Sequence, residues 1–95
     1  MAIKAFVEMK ARPGRRNEVI ALDDAMCRET KAPGFLGWSH YENLKDPDAV
    51  VAIYEWNSDE ERIAYMTSVD PSSWESLANL MAEPMRVLFL SEIRR

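Results

Sequence analysis

The chain has 95 residues, 47% of them hydrophobic, and a formal net charge of −4 with a pI near 5.0. That supports one domain with one core, near the lower end of comfortable stability, and excludes a disordered chain. The basic residues are scattered and no apolar run approaches the roughly 20 residues that span a bilayer, which argues against nucleic-acid binding and a membrane helix. The pairs Arg15-Arg16 and Arg94-Arg95 are too short to form a basic patch. Met1-Ala2-Ile3-Lys4 runs directly into a strand pattern, so a cleaved signal peptide is not indicated, and the single cysteine, Cys27, cannot form an internal disulfide. Both features point to a cytoplasmic protein.

Residues 3–11 alternate, with Ile3, Ala5, Val7 and Met9 on one side and Lys4, Phe6, Glu8 and Lys10 on the other, which predicts a strand. Pro13-Gly14 ends it and opens a helix to about Lys31, with Val19, Leu22 and Met26 inward and Ile20 and Cys27 beside them. Asp23, Asp24, Arg28 and Glu29 are expected to face water. Pro33-Gly34 stops this helix. A second strand runs from Phe35 to about Leu44 and carries Trp38, His40 and Tyr41. After the turn Lys45-Asp46-Pro47-Asp48, a third runs from Ala49 to Trp56, so the two form an antiparallel hairpin.

Ser58-x-x-Glu61 is a capping box, in which serine and glutamate satisfy the orphan N–H groups of a helix start. It predicts a helix over 58–67 bearing Tyr65. Asp70-Pro71-Ser72-Ser73 offers further N-caps, including a second box from Ser72 to Glu75. The next helix places Trp74, Leu77, Ala78 and Met81 on one inward stripe, Pro84 ends it, and a last strand covers Met85 to Ile93. The order is β-α-β-β-α-β, the α+β, ferredoxin-like split βαβ plan, with helices on one face of an antiparallel sheet. Apolar residues on both parities of the last strand call for cover on the second face as well, and a second subunit is the simplest cover. A homodimer joined through its sheets is therefore predicted.

Three groups of residues resemble the antibiotic biosynthesis monooxygenase family of dimeric α/β barrels. They are Arg12-Pro13-Gly14 after strand one, Ala32-Pro33-Gly34-Phe35-Leu36-Gly37-Trp38 entering strand two, and Tyr54-Glu55-Trp56-Asn57-Ser58 closing strand three. The resemblance spans essentially the whole chain. It implies an oxygenase of aromatic polyketides or quinols, a haem-degrading enzyme or an isomerase, since the family is functionally mixed and includes many members with no known substrate. The haem-degrading branch is disfavoured: its asparagine position falls on Val7, its tryptophan position on Tyr65, and its histidine position between Glu75 and Ala78, where there is none. Many relatives carry a histidine at the Tyr65 position.

Tyr65 and His40 are the candidate catalytic residues. Tyr65 can donate a hydrogen bond to a substrate oxygen, and His40, the only histidine, ordinarily titrates near neutrality and can act as a base, with Glu8 or Glu55 behind it. Val7, Tyr54, Trp56, Trp74 and Met81 are the candidate substrate-binding residues, with Trp56, Trp74 and Met81 as apolar walls. Cys27 reads as a packing cysteine, and Asp23-Asp24, Glu60-Glu61 and Asp46/Asp48 as solvated or turn residues. No metal-ligand spacing, glycine-rich phosphate loop or nucleophile–base pair is found. The reading is an oxygenase for a small hydroxylated aromatic or quinol that uses no metal, flavin or haem. The alternatives are a non-catalytic ligand-binding or stress-related barrel and an acid–base isomerase.

Overall fold

The computed structural model describes residues 2–94; Met1 and Arg95, the outer members of the N-terminal run and of the Arg94-Arg95 pair, lie outside them. Strand β1 (Ile3–Lys10) leads to helix α1 (Arg16–Glu29), then strands β2 (Phe35–Asn43) and β3 (Asp46–Trp56), helix α2 (Asp59–Ser68), a 3-10 turn (Pro71–Trp74), the one-turn helix α3 (Glu75–Ala78) and strand β4 (Arg86–Ser91). The four strands lie in the order β2-β3-β1-β4, all antiparallel, which is the ferredoxin-like arrangement expected. No helix among the described residues is long and apolar enough to cross a membrane.

Period-two alternation decides which face each strand buries. In β1, Ile3, Ala5, Val7 and Met9 are buried under the helices and Lys4, Phe6, Glu8 and Lys10 point the other way. Register carries that division outward: Ala5 pairs with Tyr54 and Phe89, and Val7 with Ala52 and Val87. On β2, Trp38 pairs with Tyr54 and His40 with Ala52, so both belong to the helix-covered face. A register shift between Phe35 and Gly37 turns Phe35 onto that face, against Trp56 and Trp38, and leaves Leu36 exposed. The other face carries Phe6, Tyr41, Val51, Ile53, Leu88 and Leu90.

Three expectations are corrected. Asp23 does not face water: α1 buries Val19, Asp23 and Cys27, one position per turn, and Asp23 is 1% exposed. The turn after β2 is shorter than predicted, because Asp46, Pro47 and Asp48 already belong to β3. The last helix does not run from Trp74 to Met81. It begins as a 3-10 turn capped by Asp70, not as a box from Ser72, and ends at Ala78. Beyond it the backbone finds β1 as a partner: Arg12 N–H donates to Leu80 O and Ala82 N–H to Lys10 O, each at 2.8 Å, and Met81 bridges Ala11. Those bonds satisfy backbone groups that would otherwise continue the helix.

The Ser58–Glu61 box forms as expected, Glu61 N–H donating to Ser58 Oγ at 3.2 Å. Ser58 Oγ–H and the Asn57 amide both donate to the Glu61 carboxylate at 3.0 Å, which lowers that carboxyl from its usual range. No residue of α2 is fully buried. This helix is held largely by its cap, by Tyr65 against Trp56 and by Arg62 over the Phe89 ring.

A candidate active site between the sheet and two helices

A cavity of about 360 Å³ lies between the covered sheet face and helices α1 and α2. Its floor is Ala5, Val7, Tyr54, Trp56, Val87 and Phe89; its sides are Met26 and Cys27 from α1, Arg62, Tyr65 and Met66 from α2, and Trp74, Leu77 and Met85 beyond. The lining is predominantly apolar, and the volume falls in the range of small-molecule sites. Val87 and Phe89 are 44% and 54% exposed, so the mouth runs along β4.

The few polar groups in the wall define what can happen there. Asp23 reaches the cavity from α1, and both its oxygens accept from the Tyr54 hydroxyl, at 2.9 and 2.8 Å. Asp23 Oδ2 is also 2.8 Å from His40 Nε2; since a carboxylate only accepts, the imidazole Nε2–H donates. Behind it, His40 Nδ1 lies 3.5 Å from Asp24 Oδ1, which accepts from Trp38 Nε1–H at 2.8 Å. A buried carboxylate is thus held by two donors, one from each of two strands. Burial and the Asp23 charge push the Tyr54 phenol far above its ordinary range, so Tyr54 is neutral and donates to Asp23 while its oxygen keeps a lone pair for another donor. Burial, reinforced by Asp23 and Asp24, also pushes the Cys27 thiol up to about 12, which leaves it a packing group without thiolate reactivity near neutral pH.

The proposed site residues divide clearly. Val7, Tyr54, Trp56, Tyr65 and Trp74 meet around the cavity, with Trp56 and Tyr65 rings 5.4 Å apart. Met81 is not part of the wall. It is buried in the core with Ala11, Met9 and Leu77, because the short last helix turns it toward β1. His40 is one strand removed and touches the cavity only through Asp23. Glu8 and Glu55 lie on the uncovered face and cannot reach it. Asp23 itself was hidden by its partner Asp24, a pair that reads as a solvated face. The available signal was its four-residue spacing between Val19 and Cys27.

Residues 2–70 match the model of the antibiotic biosynthesis monooxygenase family. No curated protein matches the chain. Among solved structures, a conserved protein from Methanosarcina mazei Go1 is similar at 17% identity, with a TM-score of 0.84 over 98% of this chain and 94% of that one. Rv0793 from Mycobacterium tuberculosis is 19% identical, with a TM-score of 0.79, 100% of this chain and 98% of that one being covered. A monooxygenase from the Streptomyces coelicolor gene ActVA-Orf6, in complex with the ligand nanaomycin D, is 23% identical, with a TM-score of 0.78, 99% of this chain and 89% of that one being covered. At these identities the structural likeness speaks for the fold. With the family match over residues 2–70 added to it, the chain belongs to the antibiotic biosynthesis monooxygenase family.

Proposed function

We propose that the protein is a monooxygenase for a small hydroxylated aromatic or quinol, working without metal, flavin or haem. The observation that carries this reading is the apolar cavity whose wall holds one buried, hydrogen-bonded carboxylate, Asp23, reached through the Tyr54 hydroxyl. A flat electron-rich substrate fits among Trp56, Tyr65 and Trp74. Its hydroxyl donates to the Tyr54 oxygen as the Tyr54 proton moves to Asp23, leaving a substrate anion and a neutral carboxylic acid. His40 stays bonded to that acid and keeps it oriented. The anion passes its electrons to O₂ and forms a carbon–oxygen bond. The resulting peroxide recovers the stored proton and loses water, so that a CH₂ group and O₂ give a C=O group and H₂O. In this reading Tyr65, which lines the cavity from α2, donates to a substrate oxygen.

The same reading includes a homodimer through the uncovered sheet face. Leu88 and Leu90 there are 42% and 46% exposed, and Phe6, Val51 and Ile53 adjoin them across the ladder. A patch of that kind on a lone subunit calls for a partner surface.

The test is oxygen uptake by metal-stripped protein offered anthrones, naphthols and quinols. Chelator-insensitive, saturable uptake that falls in Tyr54→Phe supports the oxygenase. Binding of the same compounds with no uptake refutes it in favour of a binding protein or an isomerase.

A further inference from the structure

The hydrogen bonds that begin at the cavity do not end at Asp23. Tyr54 and Asp23 stand in the cavity wall, and the Tyr54 hydroxyl donates to both Asp23 oxygens. Away from the cavity, Asp23 Oδ2 accepts from His40 Nε2–H at 2.8 Å, and the His40 side chain is 13% exposed. Its other ring nitrogen, Nδ1, lies 3.5 Å from Oδ1 of Asp24, a side chain that is 31% exposed. Nδ1 makes no hydrogen bond among the described residues, where the buried side-chain polar atoms left without a partner are Arg16 Nε and Trp74 Nε1, so Nδ1 is open to water. Exposure therefore rises from Asp23 to His40 to Asp24. An imidazole can take a proton on one nitrogen and give one from the other, which an amide in the same place cannot.

We infer that His40, besides orienting Asp23, is a proton relay joining the Tyr54–Asp23 pair to solvent. This rests on Asp23 being the proton acceptor of the cavity, not on what O₂ then does. Inward, water gives a proton to Nδ1, the imidazolium passes its Nε2 proton to Asp23 Oδ2, and the ring is left neutral with its proton on Nδ1. Asp23 then trades protons with Tyr54: the Oδ2 proton reaches the phenol oxygen as the phenol proton moves to Oδ1. Outward, the Asp23 proton goes to Nε2 and the Nδ1 proton to water, which restores the starting tautomer. Asp24 sets a negative charge beside the nitrogen that carries the extra proton. Cys27, also beside Asp23, offers no parallel route near neutral pH, because burial and the two aspartates push its thiol up to about 12.

The test needs neither substrate nor O₂. Protein carrying tyrosine labelled with ¹³C at Cζ is placed in equal parts of H₂O and D₂O. Deuterium on the hydroxyl shifts the Cζ resonance, so slow exchange with water gives two lines and fast exchange one averaged line. The chain has three tyrosines, and Tyr54→Phe identifies the line of interest. Wild-type Tyr54 is expected to give one averaged line, although its hydroxyl is bonded to a carboxylate that is 1% exposed. In His40→Gln the amide still donates to Asp23 but hands on no proton, so exchange should slow by about 10²-fold. A purely structural role predicts the opposite sign, since loosening the site admits water and speeds exchange. Where His40→Gln fails to fold, Asp24→Asn decides: it keeps the imidazole and removes the charge beside Nδ1, and exchange should again slow. Two lines in wild-type protein, or exchange in the deciding variant as fast as in wild type or faster, overturns the relay. Oxygen uptake together with unslowed exchange removes the relay alone; slowed exchange with no uptake of any bound compound removes the oxygenase reading alone.

Discussion

Replacing Asp23 by alanine strips two donors, the Tyr54 hydroxyl and His40 Nε2–H, of a charged acceptor in a position that is 1% exposed. Hydrogen bonds to charged groups contribute about 1.5–3 kcal/mol each, and the stranded donors stay buried, so Asp23→Ala should lose about 3–5 kcal/mol of unfolding free energy. Tyr54→Phe removes only one of those donors and should lose about 1.5–3 kcal/mol. In the double variant there is no hydroxyl left to strand, so the two losses must not add. A double-mutant cycle by urea unfolding, followed by tryptophan fluorescence, should give a coupling energy of about 1.5–3 kcal/mol. Asp23→Asn, which keeps the shape and one acceptor oxygen, serves as the milder variant. A coupling energy below about 0.5 kcal/mol would show that the two groups act independently and refute the reasoning.

Three further outcomes follow from other parts of the molecule. Gly34 has φ +86°, and a Cβ there would come within 2.5 Å of the Glu61 side chain, so Gly34→Ala should cost about 2 kcal/mol through left-handed strain and a displaced capping glutamate. Glu61→Ala should restore part of that loss in urea unfolding, and no restoration would count against the contact. The Tyr54 phenol is raised in the fold, so above about pH 10 the unfolded chain loses a proton that the native one keeps, and stability falls with rising pH by up to about 1.4 kcal/mol per unit. Unfolding titrations should show a gentler fall in Tyr54→Phe, with the remaining slope including Cys27; an unchanged slope would contradict the Tyr54 environment. Finally, Leu88→Glu places a charge in the centre of the proposed dimer face, where a buried leucine contributes about 1.5–3 kcal/mol, and should shift sedimentation from dimer to monomer. A wild-type protein that sediments as a monomer would remove that interface.

Strand β1 and the start of α2 were readable because period-two alternation in Ile3–Lys10 and the Ser58–Glu61 box are local signals that the fold does not override. The last helix misled because its stripe from Trp74 to Met81 does report burial, of Leu77 and Met81, yet the backbone beyond Ala78 bonds to β1, a partner 70 residues away that no local pattern reveals. Asp23 was missed for a related reason. Charge makes an aspartate on a helix read as solvated, and its burial depends on Tyr54 and His40 arriving from two other strands. Trp56 and Tyr65 were singled out by the family resemblance and Trp74 by its inward stripe, and all three line the cavity. Met81 was misplaced only because the helix assumed to carry it stops early.

The central claim is that O₂ is split between the substrate and water, with the Tyr54–Asp23 pair removing the initiating proton. The most direct measurement is turnover of an accepted anthrone, naphthol or quinol under ¹⁸O₂, with mass spectrometry of the product for wild-type protein and Asp23→Asn. The account predicts one ¹⁸O atom per product from the wild type. It also predicts that kcat in Asp23→Asn falls by about 10²–10⁴, with KM little changed. Product oxygen derived from water, or an Asp23→Asn variant turning over at the wild-type rate, would contradict it.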